Sequence, residues 1–387
     1  MAWNSFVLRV MLPIIMVSIA RARSLPQLWT EDQIAFEGSA RRPSGSLRQP
    51  LRYAVFGDSW ASGINWGPPS AEVEYNYPDS EEVCRCRRVN EAWPVQLLHD
   101  NSSWARKYDL ELDYQACYGS WFADVFDQVR RLNQTKTLDL GFLMIGGNPG
   151  GFPKIVEDCV FQFDRGKDYG PEYPDPDGSC YRTLQNALQT VRSIEFITGM
   201  LSSVYAILNE PHIRRKPNFR LFVVSYADLF NHEDEACSQM TFGIWGGKQP
   251  RLTRDLRIAI DAVIDEGRKM YDLYLNHLVL DPRVSFLDAN AVLEGHRFCE
   301  PTLNGTMEQM NEKSWLYNLE WPQCIPYAQQ EQNDVEGPAN EFAIPGFCRN
   351  CGGFAGLGDF QRPFHPKHQA HEAYKNFLVK TLEKEFA

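Results

Sequence analysis

Four short segments of this 387-residue chain hold groups that nucleophilic chemistry needs. The first is Phe56-Gly57-Asp58-Ser59-Trp60-Ala61-Ser62-Gly63. A free serine hydroxyl is unreactive; it needs exposure and a nearby base. A strand that breaks at glycine into Asp-Ser lifts the hydroxyl above a sheet edge, through a turn that a β-carbon would obstruct. Taken alone, the segment also fits a plain strand-to-helix turn with Ser59 as helix N-cap. The second segment is Gln115-Ala116-Cys117-Tyr118-Gly119, where the Gly119 N–H can point into a crevice, or the glycine can simply turn the chain. The third is Met144-Ile145-Gly146-Gly147-Asn148. Its asparagine amide can donate to a developing oxyanion, or cap the next segment as turn asparagines do. The fourth is Arg362-Pro363-Phe364-His365-Pro366-Lys367. Histidine is the natural general base near neutral pH, so His365 is the candidate base. His365, His368 and His371 are spaced by three, but the last two fall on a following helix. A polar helix face is the expectation there, and no metal site is assigned.

The elements between these segments must bring them together. Tyr53 to Phe56, Leu110 to Ala116, Leu138 to Ile145, Phe219 to Tyr226 and Val284 to Leu287 are apolar, strand-like runs. Continuous apolar runs suit strands buried on both faces, as in a parallel sheet. Ala92 to Trp104, Phe122 to Leu132, Leu184 to Leu208, Leu256 to Leu278 and His368 to Lys384 read as helices. Alternation of this kind predicts an α/β fold, a three-layer α/β/α sandwich on a mostly parallel five-stranded sheet. Ligands in such folds sit beyond the carboxyl ends of the strands, and three of the four segments follow strands. Residues 64–90 and 297–353 break the alternation and are expected to be long, disulfide-pinned loops.

Composition narrows the class. Hydrophobic residues make up 43% and charged residues 23%, as in ordinary globular proteins. A net charge of −11 argues against a nucleic-acid partner, which wants a basic face. Arg9, the apolar run Val10 to Ala20 and the small-x-small Ala20-Arg21-Ala22 read as a signal peptide over 1–22. The run is too short to span a bilayer, so no stable membrane anchor is expected. Residues 23–50 read as a linker or leader and 51–387 as one domain. Ten cysteines, an even number, in such a chain read as disulfides, with Cys159–Cys180 the expected local bridge. Cys348-x-x-Cys351 is read in the same way rather than as half a zinc site. Sequons at Asn101, Asn133 and Asn304 agree with a secreted, extracellular glycoprotein.

The ordered set resembles the SGNH (GDSL-type) hydrolases, named for Ser, Gly, Asn and His in four blocks. Gly57-Asp58-Ser59 with Gly63 matches the first block, Gly119 the second, Gly147-Asn148 the third and His365-Pro366 the last. The third block usually continues with Asp, and here Pro149 follows. Gly295-His296-Arg297-Phe298-Cys299 resembles a segment of secreted fungal members. The resemblance implies a flavodoxin-like SGNH sandwich and a secreted serine esterase. Ser59 would be the nucleophile, His365 the general base, and Ser59 N–H, Gly119 N–H and the Asn148 amide the oxyanion donors. The family often has Asp three residues before the histidine; here Arg362 stands there and cannot accept the imidazole N–H. A backbone carbonyl is the expected acceptor, with Asp359 the other candidate. No cofactor is called for. The expected substrate is a small-molecule, lipid or acylated-glycan ester. A glycan acetyl esterase and a catalytically weakened binding protein on the same scaffold are the competing readings.

Overall fold

The computed structural model describes residues 48–63, 86–133, 135–162, 164, 166–242, 250–278, 281–302, 305–318 and 363–386. The leader reading over 1–22, nearly all of the 23–50 linker, and most of the two long loops lie outside these residues, as do Asn304, Asp359, Arg362 and Cys84, Cys324, Cys348 and Cys351.

Five strands form one sheet: β1 (Gln49–Gly57), β2 (Tyr108–Tyr114), β3 (Leu140–Met144), β4 (Arg220–Val224) and β5 (Val284–Leu287). Their order is β2-β1-β3-β4-β5, and every pair is parallel. β3 is buried at all five positions and β4 at four of its five, as expected of strands covered on both faces. The order reverses between β1 and β3, and a crevice opens beyond the strand ends at that switch point. Ser59 and Asn148 follow those two strands.

Helices cover both faces. α1 (Trp93–Leu98) packs on α6 (His368–Glu385), whereas α2 (Asp124–Arg130), α3 (Ser179–Val191), α4 (Ile194–Leu208) and α5 (Arg254–Asp272) pack on one another. The chain is therefore a three-layer α/β/α sandwich. An aromatic column crosses one face: Phe142 of β3 lies 6.0 Å from Tyr53, 5.7 Å from Trp93 of α1 and 5.6 Å from Phe222. Edge-on and offset rings of this kind bury large apolar area.

Two predicted helices change shape. The expected helix over 92–104 stops at Leu98, because Asp100 accepts the Ser102 N–H at 2.9 Å and draws the chain into a turn. The expected helix over 184–208 is two helices, bent by 51° where the Ser193 hydroxyl caps Phe196 N–H at 3.1 Å. Among the described residues no single helix is long and apolar enough to cross a membrane, although this bent pair matches by length and composition.

The structure brings together three disulfides among the described residues: Cys86–Cys117, Cys159–Cys180 and Cys237–Cys299. The second is the bridge expected from the sequence. Asn101 and Asn133 are exposed.

The polar face expected for His368 and His371 holds only for His368, which is exposed. His371 is buried beside Ala370, Tyr374 and Leu378, because a step of three and then four residues keeps it on the apolar stripe of α6. Burial pushes its imidazole down from 6.5 to about 3. The unfolded chain takes up a proton below 6.5 that the folded chain refuses, so stability is lost as pH falls from 6.5 towards 3. At pH 5 this amounts to about 2 kcal/mol. His371→Leu is expected to gain that much on the wild type between pH 8 and pH 5 in urea unfolding. A gap that stays constant with pH would refute the assignment.

Candidate active site

The first segment turns as sharply as its glycine requires. Gly57 has φ of +135°, and a β-carbon there would lie 2.0 Å from the Met144 carbonyl oxygen. Gln128 of α2 clamps this residue: its Oε1 accepts Gly57 N–H and its Nε2 donates to Gly57 O, each at 2.8 Å. Asp58, not Ser59, is the cap of the following turn, Ser59–Ser62, and its carboxylate accepts Trp60 N–H at 3.1 Å. With Asp58 in that role, the Ser59 hydroxyl is left for another partner. That partner is His365, whose Nε2 lies 2.7 Å from Ser59 Oγ across 306 positions of sequence. The other ring nitrogen, Nδ1, faces the Pro363 carbonyl at 3.3 Å.

The histidine loop is held by packing. Phe364 has φ of +68°, a left-handed conformation that costs a non-glycine residue about 1–2 kcal/mol. Backbone bonds fasten it on both sides: Phe364 N–H donates to Tyr317 O at 2.8 Å, and Tyr317 N–H to His365 O at 2.9 Å. Its ring sits among Phe152, Phe230, Phe242 and Phe298 at centroid distances of 5.8, 5.9, 5.5 and 5.2 Å. Several such contacts, at about 0.5–1.5 kcal/mol each beyond area burial, outweigh the backbone cost.

On the opposite side, Asn148 Nδ2 donates to Ser120 O at 3.0 Å, which ties it to the turn carrying Gly119. One amide hydrogen remains for a ligand. Gly119 has φ of +76°, and neither its N–H nor that of Ser59 donates to any group among the described residues. Cys86–Cys117 and an Arg88 Nε bond to Ala116 O, at 2.8 Å, pin the same turn.

Beneath Ser59 lies a pair that sequence reasoning missed. The Tyr226 hydroxyl, just past β4, donates to Asp58 and accepts Gly147 N–H at 3.1 Å. It therefore joins the Ser59 turn to the Asn148 turn. Burial pushes the Asp58 carboxyl up to about 7, although Tyr226 and the Trp60 and Gly147 N–H groups oppose the rise. Burial and then the neighbouring Asp58 charge push the Tyr226 hydroxyl far up, so it stays a donor. Tyr226→Phe would remove the hydroxyl that donates to the buried Asp58 carboxyl and accepts Gly147 N–H, a cost of about 1–3 kcal/mol. The expected result is a lower unfolding free energy of that size together with a lower kcat; unchanged values of both would show that the bridge is idle. The crevice rule, applied to the carboxyl end of the run Phe219 to Tyr226, is the signal that could have found Tyr226.

Ser59, Asn148 and His365 line one cavity of about 460 Å³, and so does Tyr118, next to Gly119. Asp359 and Arg362 lie outside the described residues. So do the loop tryptophans Trp66, Trp245 and Trp321, which could stack on a sugar or line an acyl groove, whereas Trp315 is stacked at 3.6 Å on His296. Among the described residues no group of three His, Cys, Asp or Glu side chains could hold a metal.

No family model matches the chain, and no curated protein does. Among solved structures it is similar to an extracellular lipase from Streptomyces rimosus, at 17% identity and a TM-score of 0.52, over 85% of this chain and 99% of that one. It is also similar to phospholipase A1 from Streptomyces albidoflavus NA297, at 18% identity and a TM-score of 0.51, over 86% and 99%. Together with a parallel β2-β1-β3-β4-β5 sheet and the motif order at its crevice, this likeness shows that the chain has the fold of the SGNH hydrolases.

Proposed function

We propose that the protein is a secreted serine esterase that hydrolyses carboxylic esters through an acyl-enzyme on Ser59. The observation that carries this reading is the 2.7 Å contact between Ser59 Oγ and His365 Nε2. That geometry lets the imidazole take the hydroxyl proton as Oγ attacks the ester carbonyl. The carbonyl π-electrons move to oxygen, where Ser59 N–H, Gly119 N–H and the Asn148 amide receive the charge. The C–O bond to the leaving alcohol then breaks, and His365 returns the proton to it. Water repeats the sequence on the acyl-enzyme, giving the free acid and restoring Ser59.

The Pro363 carbonyl accepts the Nδ1–H in this scheme, which keeps the lone pair on Nε2 towards Ser59. A backbone acceptor of this kind is what Arg362 calls for, standing where the family often has Asp. The three disulfides support passage through an oxidising compartment. The likeness to an extracellular lipase and a phospholipase supports an ester as substrate.

The test is covalent labelling. Intact protein treated with a fluorophosphonate should gain one adduct, mapped by mass spectrometry to Ser59. Absence of an adduct on folded protein would instead favour the catalytically weakened binding scaffold.

A further inference from the structure

The cavity that Ser59 and His365 share continues well beyond them. Its walls include Val191 at the end of α3, Phe196 of α4, and Val263, Ile264 and Tyr271 on the α5 side. The polar groups met there are already engaged. Tyr271 donates to Ile145 O at 2.6 Å, and Arg268 is bonded to Asp228 at 2.7 Å. At the other end Lys154 is paired with Glu157 at 2.8 Å. A sugar placed here would bury hydroxyls without partners, which is costly. An acetyl group would leave most of the volume empty.

One wall is missing a side chain. Gly267 lies well inside α5, a helix of 19 residues, and lines this cavity. A β-carbon on it would meet nothing within 4 Å. Glycine in a helix interior is less favourable than alanine by roughly 1 kcal/mol. Close packing therefore gives no reason for it, whereas room for a ligand does. At roughly 30 Å³ per water-sized group, the cavity holds about fifteen heavy atoms.

Building on the esterase reading, we infer that this cavity is the acyl pocket, that the substrate carries a medium-length aliphatic acyl chain, and that Gly267 sets the length it accepts. Each methylene buried should raise kcat/KM about fourfold until the pocket is full. The acyl chain, not the alcohol, then decides specificity.

The experiment compares p-nitrophenyl acetate, butyrate, octanoate and dodecanoate on the full chain, wild type and Gly267→Leu, with fluorophosphonate labelling run in parallel. Wild type should prefer octanoate to acetate by at least about a hundredfold in kcat/KM. Gly267→Leu should lower that ratio at least about tenfold, since its side chain takes the room of three or four methylenes. If Gly267→Leu does not fold, the wild-type series and Gly267→Ala, expected to lower the ratio severalfold, carry the test. Wild type that labels at Ser59 but prefers acetate overturns the acyl pocket and leaves the esterase reading standing. A folded Gly267→Leu with the wild-type ratio overturns the role of Gly267. No label and no hydrolysis of any ester would instead bring down the esterase reading, and this inference with it.

Discussion

Ser59→Ala is expected to lower kcat on an activated ester by about 10⁴-fold or more, with His365→Ala close behind. In the proposed mechanism the two act as one device, the hydroxyl attacking only as the imidazole 2.7 Å away takes its proton. The double variant should therefore be little worse than either single variant, because removing half of such a unit already removes its function. The residual rate of the double variant would come from the oxyanion donors and from substrate positioning, which do not need the pair. Steady-state kinetics on p-nitrophenyl octanoate, with circular dichroism to confirm folding, reads all three. A Ser59→Ala protein within tenfold of wild type, or losses that multiply in the double variant, would end the acyl-enzyme proposal.

Asn148→Ala carries the second large effect. Its amide is proposed to donate to oxygen only as charge develops there, so it stabilises the transition state more than the bound ester. The expected loss is about 10² to 10³ in kcat, or about 3–4 kcal/mol, with KM changed much less. The substitution also removes the bond from Nδ2 to Ser120 O at 3.0 Å, a stability effect that thermal unfolding separates from the kinetic one. Asn148→Asp keeps the shape but offers only acceptors at neutral pH, so it should be at least as damaging as alanine. A variant that raises KM while leaving kcat intact would mark Asn148 as a binding residue and not an oxyanion donor.

Much of this was legible because it is local. Val284 to Leu287 matches β5 at both ends, and the other four apolar runs match strands to within a few residues. Alternating runs and their terminal glycines act within a few residues of one another, so period and turn chemistry betray them. The motif order then places Ser59 and Asn148 at the crevice by topology alone.

The internal support of that crevice is a different matter. Nothing in the local pattern links Gln128 to Gly57, 71 positions away, or Tyr226 to Asp58, 168 away. Nor does it mark Phe364 as the residue whose aromatic neighbours hold the histidine loop in a left-handed turn. Even the break between α3 and α4 was read through, since apolar spacing continues across Ser193 while its hydroxyl caps the second helix. The sequence by itself thus determined the layered architecture and the chemical groups at its rim, because both follow from short-range periodicity and turn preference. Only the tertiary structure decided which distant side chains clamp those groups, and how large a cavity opens behind them, because packing contacts depend on where whole elements come to rest.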